Sequence, residues 1–324
     1  MKFTFLLTVD CFYSGVIGLL DTFGIANLWH QKLTGYRENL FEVELVSVDG
    51  GTVTSSNCIE LKAHKTLAEA DTPEYIILPP IWPSPNMGRQ LNDTVRYWLV
   101  RNYNVAVPIA AVCTGSFLLA KTGLLDGRLA TTNWQFARKF QHLFPKVKLK
   151  PEMILTEDNG LICTGAATAY FNLGLTLIRR YGTEDLAKVC SKALLIEPNR
   201  TSQAPYFLEQ HKVKHNDTAI MKAQGFMEDN YRKLKAVNEI ADFVGISSRH
   251  FKRRFKQATG YSPLSYLQDI RIEQAKKKLE STMESIEEIT QQIGYENTST
   301  FRRLFKDRTS LSPREYRDKF SRRT

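Results

Sequence analysis

A chain of 324 residues with 43% hydrophobic and 24% charged residues has apolar material for two globular cores, which excludes a disordered or fibrous protein. The net charge of +10 is uneven: residues 216–324 hold 22 basic and 15 acidic side chains, a net of +7, and the rest contribute only +3. A basic C-terminal third points to a polyanionic partner. The five cysteines (Cys11, Cys58, Cys113, Cys163, Cys190) are odd in number and lack metal-type spacing, so neither a disulfide framework nor a metal site is expected, and a reducing compartment fits. No apolar run approaches the ~20 residues of a membrane helix. The run Phe3–Val9 is broken by Asp10 without a small-residue cleavage site and reads as a strand, not a signal peptide. A cytoplasmic protein with no membrane contact and no cofactor is expected.

In chain order, residues 3–9 give a first strand, and Ser14–His30 carries Ile17, Leu20, Phe23 and Leu28 at helical spacing. Phe41–Val48 is a second strand, and Gly50-Gly51 with the polar residues after it suits a hairpin. Tyr75–Leu78 is a third strand, stopped by Pro79-Pro80 because proline cannot continue a central strand. Met87–Tyr103 reads as a helix, and the apolar Val105–Val112 as a strand covered on both faces. Ile154–Thr156 and Leu161–Cys163 add strands around Asn159-Gly160. Thr164 is the expected N-cap of a helix to Arg180, and Thr183 of one ending near Leu195. Strands alternating with helices predict an α/β sandwich with a mostly parallel, flavodoxin-like sheet.

Ala111-Val112-Cys113-Thr114-Gly115 joins the buried strand to a helix opening at Ser116, the pattern of a nucleophile elbow. These residues alone leave two readings open: an activated cysteine, or a small buried hydrophobe at a packed turn. The run from Ala111 through Ala120-Lys121-Thr122-Gly123-Leu124-Leu125-Asp126-Gly127-Arg128 to Ala130-Thr131-Thr132-Asn133-Trp134 resembles the intracellular-protease and class I glutamine-amidotransferase-like superfamily, closest to the amidase-like half of the GlxA-type regulators. The resemblance spans roughly residues 1–195. It implies that catalytic members pair the cysteine with a histidine and with an acid near the first helix. At the matching positions stand Thr114, Asn133 and Gly15 (with Ser14), none of them a general base. A degenerate, non-enzymatic site is therefore expected: a small-molecule pocket at the strand ends, with Asp10, Cys11, Cys113, Thr114 and Asn133 as its residues.

Pro198 to about Asp217 lacks periodicity and is the expected linker between a domain of residues 1–197 and one of 218–322. Its His211 and His215 have no third ligand near, so they predict no metal site. Beyond it the chain repeats itself. Glu239-Ile240, Gly245, Phe251, Arg253, Phe255-Lys256, Thr259, Ser262-Pro263 and Tyr266 return as Glu288-Ile289, Gly294, Phe301, Arg303, Phe305-Lys306, Thr309, Ser312-Pro313 and Tyr316. The offset is 49 up to the glycine and 50 beyond it, so one residue is inserted in the turn. Each copy predicts a short helix (Val237–Phe243 in the first), a turn at the glycine, a basic second helix and a Ser-Pro stop: a helix-turn-helix in tandem. Ser247 or Ser248 caps the first basic helix.

On the second helices the phenylalanines four apart face inward. Ser247, Ser248, Arg249, His250, Lys252, Arg253 and Lys256 are left outward in one copy. Asn297, Thr298, Ser299, Thr300, Arg302, Arg303 and Lys306 are left outward in the other. Early residues of such a helix reach base edges and later basic ones meet phosphates. The helix from Pro263 to about Leu279 presents Leu264, Leu267, Ile272, Ala275 and Leu279 to both halves, with Arg271 paired internally. Residues 216–322, with Gly294-Tyr295, Phe301-Arg302-Arg303-Leu304-Phe305-Lys306 and Ser312-Pro313 before Tyr316-Arg317, closely resemble the AraC/XylS-type DNA-binding domain. This resemblance implies an all-α domain of two helix-turn-helix subdomains. It further implies a bacterial, dimeric, nucleoid-associated transcription regulator acting on double-stranded promoter DNA, an activator working with RNA polymerase. Effectors of similar proteins are amino-acid-like or quaternary amine metabolites. The alternative is a Cys113-dependent hydrolase or amidase, or a thiol redox sensor, fused to a DNA-binding domain.

Overall fold

The computed structural model describes all residues except 56, 71, 83–91, 199, 208–214 and 322–324. It divides into two units, Met1–Gln203 and Ala204–Thr324. Short β-branched and aromatic runs build the first unit's strands, with helices between them. In order these are β1 (Lys2–Leu6), α1 (Tyr13–Thr34), β2 (Glu42–Ser47), β3 (Thr52–Thr54), β4 (Glu60–Lys62), β5 (Lys65–Thr66), β6 (Tyr75–Leu78), α2 (Asp93–Asn104) and β7 (Ile109–Ala111). They continue with α3 (Ser116–Lys121), β8 (Leu129–Ala130), α4 (Ala137–Leu143), β9 (Lys148–Leu149), β10 (Leu155–Asp158), β11 (Leu161–Thr164), α5 (Tyr170–Tyr181) and α6 (Glu184–Ala193). The main sheet runs β10-β11-β7-β6-β1-β2-β5, parallel throughout except for the antiparallel β10–β11 pair.

Because side chains alternate along a strand, the sheet feeds two cores. Phe3, Phe5, Ile77 and Ile162 face α1, α5 and α6 on one side, where Phe3 stacks on Phe23 at 4.4 Å. Leu6, Ile76, Ile109 and Leu161 face Val95, Leu99, Phe117 and Phe140 on the other. This is the α/β sandwich expected from the sequence.

Several local expectations are corrected. The apolar run Val105–Val112 yields only three strand residues, since Val105 is exposed, Ala106 has a φ of +67° and Pro108 lacks an N–H. Thr164 does not cap a helix. It ends β11, and a 3-10 turn at Ala167–Ala169 leads into α5. Residues 87–91 of the helix expected over Met87–Tyr103 lie outside the described residues, and the described part is α2. Residues 200–203 are folded rather than linker: Gln203 is 1% exposed, and the Arg200 guanidinium donates to Asn172 Oδ1 at 2.9 Å.

The second unit is helical: α7 (Thr218–Asn230), α8 (Val237–Phe243), α9 (Ser248–Thr259), α10 (Pro263–Ser281), α11 (Ile286–Gln292), α12 (Thr298–Thr309) and α13 (Pro313–Phe320). The one-residue insertion falls where the offsets place it: four residues separate α8 from α9, and five separate α11 from α12. Gly245 and Gly294 turn the chain at φ of +67° and +87°, the left-handed region that favours glycine. Among the described residues, no helix is long and apolar enough to cross a membrane, and no cluster of His, Cys, Asp and Glu is placed to hold a metal ion.

Candidate nucleic-acid interface and effector crevice

The two halves of the second unit share one aromatic core motif. Phe251 and Phe255 lie 5.5 Å apart and Phe255 meets Tyr266 edge-on at 5.3 Å. Phe301 and Phe305 lie 5.6 Å apart and Phe305 meets Tyr316 at 5.4 Å. Thr259 and Thr309 each donate a hydroxyl back to the carbonyl of the second phenylalanine, at 2.8 and 2.7 Å. With that face buried, the opposite one is left to solvent. Arg249, His250, Lys252, Arg253 and Lys256 are exposed on α9, and Ser299, Thr300, Arg302, Arg303 and Lys306 on α12. The sequence of buried and exposed positions is the same along both helices. Two matched polar and basic ridges result, each the width of a helix that fits a DNA major groove.

The ridges differ in detail. Asn297 caps α12 by accepting from the Thr300 N–H at 2.9 Å, whereas Ser247, at the N-cap of α9, makes no side-chain cap bond. Of the two serines expected to cap α9, Ser247 holds the N-cap position without the side-chain bond, and Ser248 instead donates its hydroxyl to Asn238 Oδ1 at 2.7 Å. Thr298 is half-buried, and Arg302 pairs with Glu287 at 2.8 Å. Arg303 stands exposed beside it.

Each basic helix is latched by an arginine that has no counterpart in the other copy. On α9, Arg254 grips the α7 N-cap Asp217 with two hydrogen bonds, at 2.5 and 2.9 Å, and holds that carboxyl below its usual range. On α12, Arg308 meets Asp269 of α10 at 3.0 Å; burial nevertheless pushes Asp269 up to about 6. Arg271 pairs internally as expected: its guanidinium donates to the carbonyls of Tyr231 (2.9 Å) and Leu234 (2.6 Å) and lies 4.9 Å over the Tyr295 ring. Leu264 departs from the expectation, being 53% exposed rather than on the buried face of α10.

In the first unit, β7 delivers Cys113 at a φ of +55°, strained for a non-glycine residue and typical of an elbow. Gly115 permits the turn, since a Cβ there would lie 2.5 Å from the Pro79 carbonyl oxygen. Gly15, where the resemblance puts an acid, is packed so that a Cβ would meet the Pro80 ring at 2.5 Å. Burial pushes the Cys113 thiol up, against hydrogen bonds from Asn133 and Thr114. A buried protonated thiol is a poor nucleophile. Among the described residues of this unit, His30 lies on α1, His142 is exposed on α4, and the His64 ring accepts from the Leu45 N–H at 3.1 Å.

The five residues expected to line a crevice are linked through Ile81 and Cys113, and Cys11, Cys113 and Thr114 are buried. Asn133 reaches Cys113 and caps its own short helix by accepting from the Gln135 N–H at 3.0 Å. The Thr114 hydroxyl is spent inside the fold, donating to the Ile81 carbonyl at 2.6 Å and accepting from the Ile81 N–H at 2.9 Å. Cys11 forms an antiparallel bridge with the same Ile81, and burial pushes its thiol up to about 11. Asp10 is exposed at a φ of +62°.

Two features here escape sequence reasoning. Phe12 and Trp82, the chain neighbours of the bridged Cys11 and Ile81, pack at 5.0 Å as an aromatic pair, with Trp82 46% exposed. Gln203, far along the chain, donates to the carbonyls of Thr132 (2.9 Å) and Pro151 (2.7 Å), while the Thr132 hydroxyl donates to the Cys113 carbonyl at 3.3 Å. Polarity at the edge of a nominal linker was the only available hint of the latter.

Comparison with known proteins agrees with both halves. Residues 32–180 match the DJ-1/PfpI family and residues 240–319 match a helix-turn-helix domain. The chain is 28% identical over 310 residues to the HTH-type transcriptional regulator GbdR of Pseudomonas aeruginosa, covering 92% of this chain and 82% of that one. It is 24% identical over 285 residues to the HTH-type transcriptional regulator GlxA of Rhizobium meliloti, covering 85% of this chain and 84% of that one. Among solved structures, a putative transcriptional regulator protein from Vibrio parahaemolyticus superposes with a TM-score of 0.52 at 17% identity, covering 60% of this chain and 98% of that one, which speaks to the fold alone. The chain thus joins a DJ-1/PfpI domain to an AraC-type helix-turn-helix domain, the architecture of the GlxA-type regulators.

Proposed function

We propose that this protein is a sequence-specific DNA-binding transcription regulator whose first unit binds a small-molecule effector without catalysis. The observation that carries the reading is the pair of matched exposed ridges on α9 and α12 over duplicated aromatic cores. The DNA contacts are those expected from the sequence, with Arg253, Lys256, Arg303 and Lys306 as the principal cations. Activation, homodimerisation and contact with RNA polymerase follow from the resemblance. An open apolar groove along α1, lined by Ile17, Leu28 and Ile59 among others, offers a dimer surface that sedimentation would test.

The effector corner supports an amino-acid-like or quaternary amine ligand. The Phe12–Trp82 pair can receive a cation on a ring face, the exposed Asp10 adds a carboxylate, and Asn133 both donates and accepts. Gln203 supports a route outward, because it ties the Thr131–Asn133 loop to the residues where the first unit ends. A ligand that fits one arrangement of that loop better would shift the population of states.

Neither the hydrolase nor the thiol-sensor reading has support from the buried, protonated Cys113. Replacing it separates the readings. Cys113→Ala is expected to keep DNA affinity within about twofold, with no change in the release of product from a small chromogenic amide. Turnover present in the parent and lost in the variant would establish the enzyme instead, as would a Cys113-dependent response of DNA affinity to mild peroxide for the sensor.

A further inference from the structure

The segment between α7 and α8, Tyr231–Ala236, belongs to neither helix-turn-helix. Its buried and exposed positions sort by chemistry: Tyr231 and Leu234 are buried, while Arg232, Lys233 and Lys235 are exposed. The backbone is held from beneath by Arg271, which takes the Tyr231 and Leu234 carbonyls at 2.9 and 2.6 Å. It is held from the side by the second turn, since Gly294 approaches so closely that a Cβ would lie 2.4 Å from the Arg232 carbonyl oxygen. The loop is thereby held against the turn that leads into α12.

Arg232 and Lys235 line one open cleft of about 750 Å³ together with Glu296, Asn297 and Thr300, the last two among the first residues of the second basic ridge. Two acids attend the loop. Glu296 pairs with Lys235 at 3.1 Å, both well exposed, and Glu239 accepts the backbone N–H groups of Lys235 and Ala236 at 2.9 and 2.7 Å. Glu239 thus spends its carboxylate on the backbone; of the loop's cations, Arg232 donates its Nε–H to the Tyr231 hydroxyl at 2.9 Å and Lys235 holds the exposed Glu296.

We infer that Arg232, Lys233 and Lys235 form a third DNA contact, gripping the sugar-phosphate backbone that walls the groove entered by α12. This rests on the DNA-binding reading and extends it beyond the two ridges. When Asn297 and Thr300 approach base edges, the groove wall comes against the cleft they share with Arg232 and Lys235. Phosphates carry no sequence information, so these cations add affinity and register without specificity. Arg271 and Gly294 pre-organise the loop, so little ordering is needed on binding.

The test is fluorescence anisotropy of the full chain on a 30-base-pair duplex of random sequence and on one enriched from a random pool by the parent protein, across 50–300 mM KCl. The triple variant Arg232→Ala, Lys233→Ala, Lys235→Ala is expected to flatten the slope of log affinity against log salt by about 2 to 3, each phosphate contributing about 0.9. It is expected to weaken both duplexes by similar factors. Glu296→Gln, which releases Lys235 and leaves the loop backbone untouched, is expected to tighten both by a few-fold, on the order of an exposed ion pair. An unchanged slope in a folded triple variant, no tightening by Glu296→Gln, or a loss confined to the enriched duplex would overturn the inference. Absence of salt-dependent binding by the parent would instead overturn the DNA-binding reading.

Discussion

Replacing Arg303 with alanine is expected to weaken binding to an enriched duplex by roughly 10- to 100-fold, the loss of one good bidentate contact to a base. Binding to random duplex should fall only by the share of one phosphate-range cation. Arg303 is exposed at mid-helix on α12, on the face opposite Phe301 and Phe305. Arg302 next to it is already engaged by Glu287 at 2.8 Å. Arg302→Ala is therefore expected to have the smaller effect. Anisotropy titrations of the two variants against both duplexes check the order; equal effects, or a loss in Arg303→Ala that is the same on random DNA, would remove Arg303 as a base reader.

Phe305→Ala should unfold much of the second unit at moderate temperature. The ring is fully buried between Phe301 and Tyr316, at 5.6 and 5.4 Å, so truncation removes its transfer energy and leaves a cavity, together roughly 3–5 kcal/mol. A unit of this size shifts in melting temperature by about 4–8 °C per kcal/mol, so a loss of tens of degrees is expected. The chain provides a way to see which unit responds. All four tryptophans (Trp29, Trp82, Trp98, Trp134) lie in the first unit. Circular dichroism at 222 nm should show an early transition in the variant, whereas tryptophan fluorescence should melt as in the parent. A variant that melts like the parent at 222 nm would mean that the ring is not a core residue.

What could be read in advance follows from the range of the contacts. The tandem motif was legible because its determinants are local and repeated. A glycine that must turn at positive φ, phenylalanines four apart and a Ser-Pro stop each act within a few residues, and the insertion in the second turn left its trace in the offsets. The sandwich was legible for the same reason, since short apolar strands alternate with helical spacing.

The failures share the opposite character. Arg254 meets Asp217 across 37 residues, and Gln203 meets Thr132 across 71, and no spacing rule reaches that far. Leu264 has the spacing of the buried stripe of α10 but opens onto a shallow cleft beside Val237, Lys252 and Arg253, and is 53% exposed. At the elbow the sequence displayed the turn chemistry and the residues at the matching positions. It did not display that Thr114 is spent on the Ile81 peptide, or that Pro80 fills the space beside Gly15. Those facts turn a missing acid into a corner with no room for one.

One chain is expected to read DNA with two unequal helices. The most direct measurement is selection of bound duplexes from a random pool by the full protein, followed by methylation interference on the selected sequence, repeated with Arg253→Ala and Arg303→Ala. The expected result is an asymmetric site with two major-groove patches about one helical turn apart. The first variant should lose interference at one patch and the second at the other. A pool that yields no common sequence, or a single patch lost in both variants, would contradict it.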